Sequence, residues 1–445
     1  MSKLREKFIR ELPVLLANGA LGGSMADFAE LPCKHVEERA RFYFDWQENR
    51  KRWQVWPFTN TILQAPGTKV TIENASGVER TGLNFASQDY LGMSAHARVR
   101  EAVIDAVREF SPHSASAPVL QGNTRLSLRL EGALADFVQM ENVLLFPTGW
   151  AAGFGTITGL IRKSDHVVLD QYAHNCCVQG AMAATPNVHR VRHLSSESFL
   201  KQLRRIRAAD TENAILVVTE GIFSMDADTP DIPALQAACR EYDAMLLVDV
   251  AHDLGACGPS GTGTVGLQGM LGKVDLVIGS FSKVFASNGG FVATRSVAVK
   301  EYLRPYSSSH TFSNAISPPQ CAGVLSALEI VRGSEGDELR LQLIRAVNCL
   351  REALQRAGVR VLGQPGPLVP AFLGPERLGR ITQALCFEAG VFANLVEFPA
   401  VSVGASRFRM QVMASHTAEQ VERAADIIGE AYLFANQLFA GSKDA

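Results

Sequence analysis

From Gln121 onward, short β-branched runs recur with room for a helix between them: Val143–Phe146, His166–Leu169, Ile215–Thr219, Met245–Val248 and Leu276–Ile278. This rhythm predicts an α/β fold built on a largely parallel sheet. Segments such as Phe199–Ala208 and Ile232–Tyr242 supply crossover helices, for which the right-handed connection is the default. From about Pro318 the pattern changes to long helical stretches, Gln320–Val331 and Asp337–Ala357, then short strands and a terminal helix, Ala418–Phe439. A second, smaller α/β domain follows from that change. Upstream, Leu4 to Arg52 is charged and helix-leaning, and a solvated helical face is the reading for it. Trp56–Ala86 carries short β-type runs such as Lys69–Glu73 and predicts a hairpin feeding the main domain. The expected division is therefore an arm over 1–55, a large domain over 56–317 and a small domain over 318–445.

Charge narrows the partners. With 43 Lys+Arg against 45 Asp+Glu in 445 residues, the net charge of −2 argues against nucleic acid or an anionic membrane surface. Small molecules are the expected ligands. The eight cysteines are scattered, without a C-x-x-C pair, so no zinc-ribbon or redox spacing exists and no metal is expected. A reducing cytoplasm fits that usage. The N-terminus lacks the uninterrupted apolar stretch of a signal peptide, and no run of about 18 apolar residues predicts a membrane span.

In parallel α/β sheets ligands gather at the carboxyl ends of strands, and four of those ends carry chemistry. Pro147-Thr148-Gly149-Trp150 is a strand–turn–helix junction whose backbone N–H groups suit an anion, although a plain helix start explains it equally. Asp249 ends one strand, with His252 three residues on; a buried acid there needs a cationic partner. Ser280-Phe-Ser282-Lys283 places a lysine just past another strand, where a lone lysine is more often a surface cation. Thr219-Glu220-Gly-Ile-Phe-Ser224 ends a fourth in small polar groups, for which a loop cap is the bland alternative. Pyridoxal phosphate accounts for the set together: a lysine for a Schiff base, an acid for the pyridine nitrogen and a helix N-terminus for the phosphate.

The pieces Asp89-Tyr-Leu-Gly92, Val218-Thr-Glu-Gly-Ile-Phe-Ser-Met-Asp226, Val248-Asp-Val-Ala-His252 and Gly279-Ser-Phe-Ser-Lys283 stand in an order and spacing that resembles the α-oxoamine synthases. The resemblance runs from roughly Trp56 to Phe439. It implies the fold-type I architecture of pyridoxal-phosphate transferases, aspartate aminotransferase-like, with a large mostly parallel-sheet domain and a smaller C-terminal α/β domain. By that resemblance Lys283 is the Schiff-base lysine and proton carrier, and Asp249 partners the pyridinium nitrogen. His252 and Ser224 bond the phenolic oxygen, and His174 stacks on the ring. Gly149 and Trp150 offer backbone donors to the phosphate, and Ser280 and Ser282 add hydroxyls. Arg409 binds the amino-acid carboxylate, since a guanidinium fork matches it bidentately, with Arg407 as a surface charge. The segment Ser309–Pro319 resembles the stretch that reaches a neighbouring subunit's phosphate, which implies a homodimer with shared active sites.

The resemblance breaks on the substrate side. Gln88 stands where an asparagine that helps to hold substrate is usual, residues 113–122 replace a glycine-rich stretch containing an arginine, and Ser127 replaces a histidine. The implied reaction is a decarboxylative condensation of glycine, alanine or serine with an acyl thioester, carried on coenzyme A or a carrier protein, to an α-aminoketone. An aminotransferase, an amino-acid decarboxylase or an aldolase would use the same cofactor residues. A scaffold subunit is the non-enzymatic alternative, and Lys283 argues against it.

Overall fold

The computed structural model describes residues 1–440. Its strands in chain order are β1 (Thr61–Ile62), β2 (Lys69–Glu73), β3 (Glu79–Phe85), β4 (Asn142–Phe146), β5 (His166–Asp170), β6 (Val188–Val191) and β7 (Ile215–Glu220). They continue with β8 (Met245–Asp249), β9 (Leu276–Ser280), β10 (Gly290–Thr294), β11 (Arg360–Val361), β12 (Leu368–Gly374), β13 (Val391–Val396) and β14 (Ser406–Gln411). The chain divides into two compact units: one of residues 1–88, 225–227 and 342–445, the other of residues 89–224 and 228–341.

The second unit holds the predicted α/β pattern. Its sheet runs β4-β10-β9-β8-β7-β5-β6, parallel from β9 through β6, with β10 antiparallel between β4 and β9. Every residue of β7 is buried, as befits a central strand covered on both faces. Leu144, Leu169, Val218, Leu247, Ile278 and Val292 pack with Ile157 and Cys176 from the helices Gly149–Leu160 and Asn175–Ala184 into one apolar core. Because β7, β8 and β9 are parallel and in register, Glu220 pairs with Asp249 and Asp249 with Ile278. Chemically loaded residues are thereby brought to one edge. β6 and β10 escape a sequence reading: Val188-His-Arg-Val alternates at a sheet edge, and β10 opens on glycines that read as a loop.

The first unit contains a mainly antiparallel sheet, β1-β2-β3-β13-β14-β12-β11, in which only the β3–β13 pairing is parallel. The β2–β3 hairpin therefore joins C-terminal strands, not the large domain expected for it from sequence. Pairing of Leu83 with Val391 leaves no local signal. Glycine makes the approach feasible: a Cβ at Gly82 would lie 2.0 Å from the Gly390 carbonyl oxygen. Residues 318–341 pack in the second unit, whereas the expected boundary put them in the small domain.

The N-terminal segment likewise does more than present a solvated face. Phe8 and Leu15 of the helix Ser2–Ala17 are fully buried. Arg380 donates to Glu397 at 2.8 Å and to the carbonyls of Leu21 and Gly23. Arg50, from the helix Val36–Arg52, reaches the other Glu397 oxygen at 3.5 Å and lies 4.5 Å from the Trp46 ring centroid. Burial and the nearby Arg380 charge lower the Arg50 pKa to about 10, against the pull of Glu397. Removing a partner from such a buried set leaves an uncompensated charge.

Candidate active site

The site is assembled where strands of the second unit end. The helix Gly149–Leu160 begins directly after β4, and its N-cap Thr148 accepts the Ala151 N–H at 3.0 Å. The earlier N–H groups, on Gly149 and Trp150, have no intrahelical acceptor and carry the positive end of the helix dipole. Only glycine fits at the first position, since a Cβ there would stand 2.4 Å from Ser280 Cβ and 2.5 Å from its Oγ. A Cβ at Gly290 would in turn sit 2.6 Å from the Gly149 Cα. The hydroxyls of Ser280 and Ser282 lie 2.8 Å apart beside this junction. Trp150 stacks on Phe154 at 4.9 Å and leaves its indole exposed.

Asp249 closes β8, nearly buried, and its Oδ1 accepts the Ala251 N–H at 2.9 Å. Glu220, beside it on β7, is driven well above the ordinary carboxyl pKa by burial and by the Asp249 charge. His252 is held by Tyr90, a residue of the Asp89–Gly92 motif to which the sequence alone attaches no role. The Tyr90 hydroxyl stands 2.9 Å from His252 Nδ1, and Tyr90 is fully buried. That contact orients the imidazole and presents Nε2 on its other side. Ser224 is buried just past β7, and Lys283 is half-buried just past β9.

His174 caps the helix Asn175–Ala184, its Nδ1 accepting the Cys176 N–H at 3.3 Å and lying 3.0 Å from Cys176 Sγ. The Cys176 bond raises the His174 pKa; burial opposes, Asp249 adds to the rise, and Lys283 subtracts. Cys176 is itself lowered to about 6, chiefly by its contact with Cys177, with His174 assisting against burial. Cys177 moves the other way, well above the ordinary thiol range. Sequence reading misses Cys176 because a lone cysteine in a helix resembles any core residue; its only signal is position, two residues after His174.

The structure thus brings Gly149, Trp150, His174, Ser224, Asp249, His252, Ser280, Ser282 and Lys283 to the strand ends of one unit. Gln88 and Arg409 belong to the first unit. There Arg409 lies in β14 between Asn394 of β13 and Pro370 of β12. Asn394 and Gln411 both donate to the Ala86 carbonyl at 3.0 Å, two residues before Gln88. Arg407 is no surface charge: it is buried and bonded to Asp226 and the Met225 carbonyl. Ser127, where the resemblance expects a histidine, completes a capping box with Thr124. Ser309 donates to the Ala151 carbonyl of its own chain at 2.8 Å.

These donors fit pyridoxal phosphate. The glycine-walled helix start offers N–H groups and paired hydroxyls for a phosphate, with an acid, a lysine and two imidazoles within the same set of strand ends.

Comparison with known proteins agrees. The family model for aminotransferase class I and II matches residues 80–428. The chain is 34% identical to 8-amino-7-oxononanoate synthase of Trichlorobacter lovleyi, over 78% of this chain and 87% of that protein. It is 32% identical to serine palmitoyltransferase of Sphingobacterium spiritivorum, over 86% of this chain and 94% of that one. Among solved structures, SPT with PLP as internal aldimine superimposes with a TM-score of 0.84 and 25% identity, covering 91% of this chain and all of that chain.

Proposed function

The chain belongs to the aminotransferase class I and II family and, within it, to the pyridoxal-phosphate-dependent α-oxoamine synthases, and from that premise we propose its reaction. It joins a small L-amino acid, glycine, alanine or serine, to an acyl thioester and releases carbon dioxide and the free thiol, leaving an α-aminoketone. The observation that carries the reading is the juxtaposition of Asp249, His174 and Lys283 beside the glycine-walled helix start, in a chain related over most of its length to enzymes of this kind.

Pyridoxal phosphate, when bound, supplies an aldehyde that condenses with amines and a ring that stores the electron pair left on a substrate α-carbon. Gly149 and Trp150 N–H groups hold its phosphate, with Ser280 and Ser282 hydroxyls. Asp249 keeps the ring nitrogen protonated, its own orientation set by the Ala251 N–H. His252, steadied by Tyr90, and Ser224 bond the phenolic oxygen, and His174 covers one ring face. Lys283 takes the proton from the substrate α-carbon and returns it later. Arg409 pairs with the amino-acid carboxylate, and Gln88 helps to place substrate. The proposal includes a homodimer with shared sites and a cytoplasmic location. All eight cysteines are unpaired, and among the described residues no helix is long and apolar enough to cross a membrane.

The test is a visible spectrum of the cofactor-loaded chain with each amino acid in turn, followed by acyl-coenzyme A or an acylated carrier protein. One amino acid should shift the band, and carboxyl-labelled substrate should then release labelled carbon dioxide together with free thiol. An oxo acid formed without any thioester would identify an aminotransferase and overturn the proposal.

A further inference from the structure

Cys176 has no part in the reaction just described, yet it stands among groups that do. A His174 ring nitrogen, Cys176 Sγ and an Asp249 carboxylate oxygen all lie within 4.8 Å of one another. We propose that these three side chains form a zinc site when pyridoxal phosphate is absent, so that zinc and cofactor exclude one another. The exclusion rests on the proposed function, in which the cofactor occupies His174 and Asp249; the metal site itself does not.

A tetrahedral zinc holds nitrogen, sulfur and oxygen ligands at about 2.0–2.3 Å, and hence about 3.5 Å from each other. The His174 Nδ1 to Cys176 Sγ separation is 3.0 Å, so that pair opens slightly, Nδ1 gives up its long 3.3 Å bond from the Cys176 N–H, and the carboxylate draws in. Two of the ligands are already constrained. Cys176 Sγ is seated against Gly153, where any Cβ would come within 2.4 Å of it, and Asp249 Oδ1 is tethered by the Ala251 N–H. Support of this kind for the ligands raises metal affinity.

The donor types select the ion. A thiolate and an imidazole disfavour magnesium and calcium, which prefer oxygen, and suit zinc. One thiolate and one carboxylate balance its two positive charges, which matters beside a buried strand end. Zinc displaces the Cys176 proton to solvent, forms the sulfur–metal bond and leaves a fourth position for water. The motif escapes sequence inspection because His174 and Cys176 come after β5 while Asp249 ends β8.

The full chain, stripped of cofactor by amine treatment and dialysis, is titrated with zinc against a chromophoric chelator, and with cobalt as a spectroscopic stand-in. One metal per chain and a near-ultraviolet thiolate–cobalt band are expected. Cys176→Ser should remove the band and weaken zinc at least about tenfold. Asp249→Asn supplies the same test should the serine variant not fold, and Cys33→Ser should change nothing. Zinc-loaded chain should regain cofactor absorbance far more slowly than zinc-free chain. Absence of the cobalt band, zinc binding indifferent to Cys176→Ser, or zinc and cofactor held together on one chain would each overturn the proposal. Cofactor loading without zinc is scored separately: a chain that never gains the absorbance fails the functional reading, while its zinc titration still decides the metal site.

Discussion

Both units bury charge, and the way each does so differs. In the first, Glu397 lies between Arg380 and Arg50, and the Leu21 and Gly23 carbonyls take further Arg380 protons. Opposite charges meet there. In the second, two acids, Glu220 and Asp249, end neighbouring strands side by side, and a thiol, imidazoles and a lysine crowd the same edge. Protonation near neutral pH is consequently displaced at Glu220, His174 and Cys176, whereas Arg50, though lowered to about 10, stays charged there. An ion-paired cluster that keeps its charges ties chain segments together, whereas groups with displaced protonation are available to a ligand that supplies the missing charge. Buried charge alone therefore does not mark a functional site; groups whose protonation near neutral pH is displaced do.

Retained turnover in Lys283→Ala would erase the functional distinction between the two units. Loss by about a thousandfold or more is expected, together with loss of the covalent cofactor band in the visible spectrum. Glu397→Gln probes the other side. It strands two buried guanidinium groups and should cost about 3–5 kcal/mol in denaturant unfolding, while the folded fraction keeps its cofactor absorbance. A loss under about 1 kcal/mol would mean that the cluster ties nothing together.

A third experiment turns to an ion-paired cluster inside the second unit, one imidazole between two carboxylates. His193 lies 2.8 Å from Asp170 and 3.1 Å from Asp228. Burial works to lower its pKa, but the hydrogen bonds and charges of the two acids together raise it to about 9, from an ordinary 6.5. A raised value means that this stabilisation is fully present below pH 6.5 and is lost as pH climbs through about 9. Discounted for the solvent screening of a half-buried group, it amounts to about 1–2 kcal/mol. His193→Gln should flatten the melting temperature across that window, and an unchanged slope would assign the pH dependence elsewhere. The smallest effect is Tyr90→Phe. Losing the bond to His252 should weaken cofactor retention by about 1 kcal/mol, or roughly fivefold, in a dialysis competition.

Much of the second unit is legible because each strand there is a short run of apolar residues closed by a polar one. Asp249, Lys283 and Ser224 are recognisable from their positions at or just past the ends of such runs. Strand β10 is lost where glycines hide it. In the first unit a local reading is overridden by tertiary pairing: residues 56–86 read correctly as a hairpin but attach through β3 to β13. Arg407 reads as a surface charge because its acceptors lie about 180 positions away. Tyr90 and Cys176 are visible as letters, but their use depends on His252 and Asp249, which only folding brings near.

Periodicity and strand-end chemistry, both properties of consecutive residues, determined the α/β class, the strand ends of the second unit and the cofactor those ends suit. Tertiary structure decided what depends on distant partners. The β3–β13 pairing, the anchoring of the N-terminal segment by Arg380, and the meeting of Cys176 with Asp249 are such cases. Backbone pairing and charge neutralisation act across space, and neither leaves a mark on the neighbouring residues of the chain.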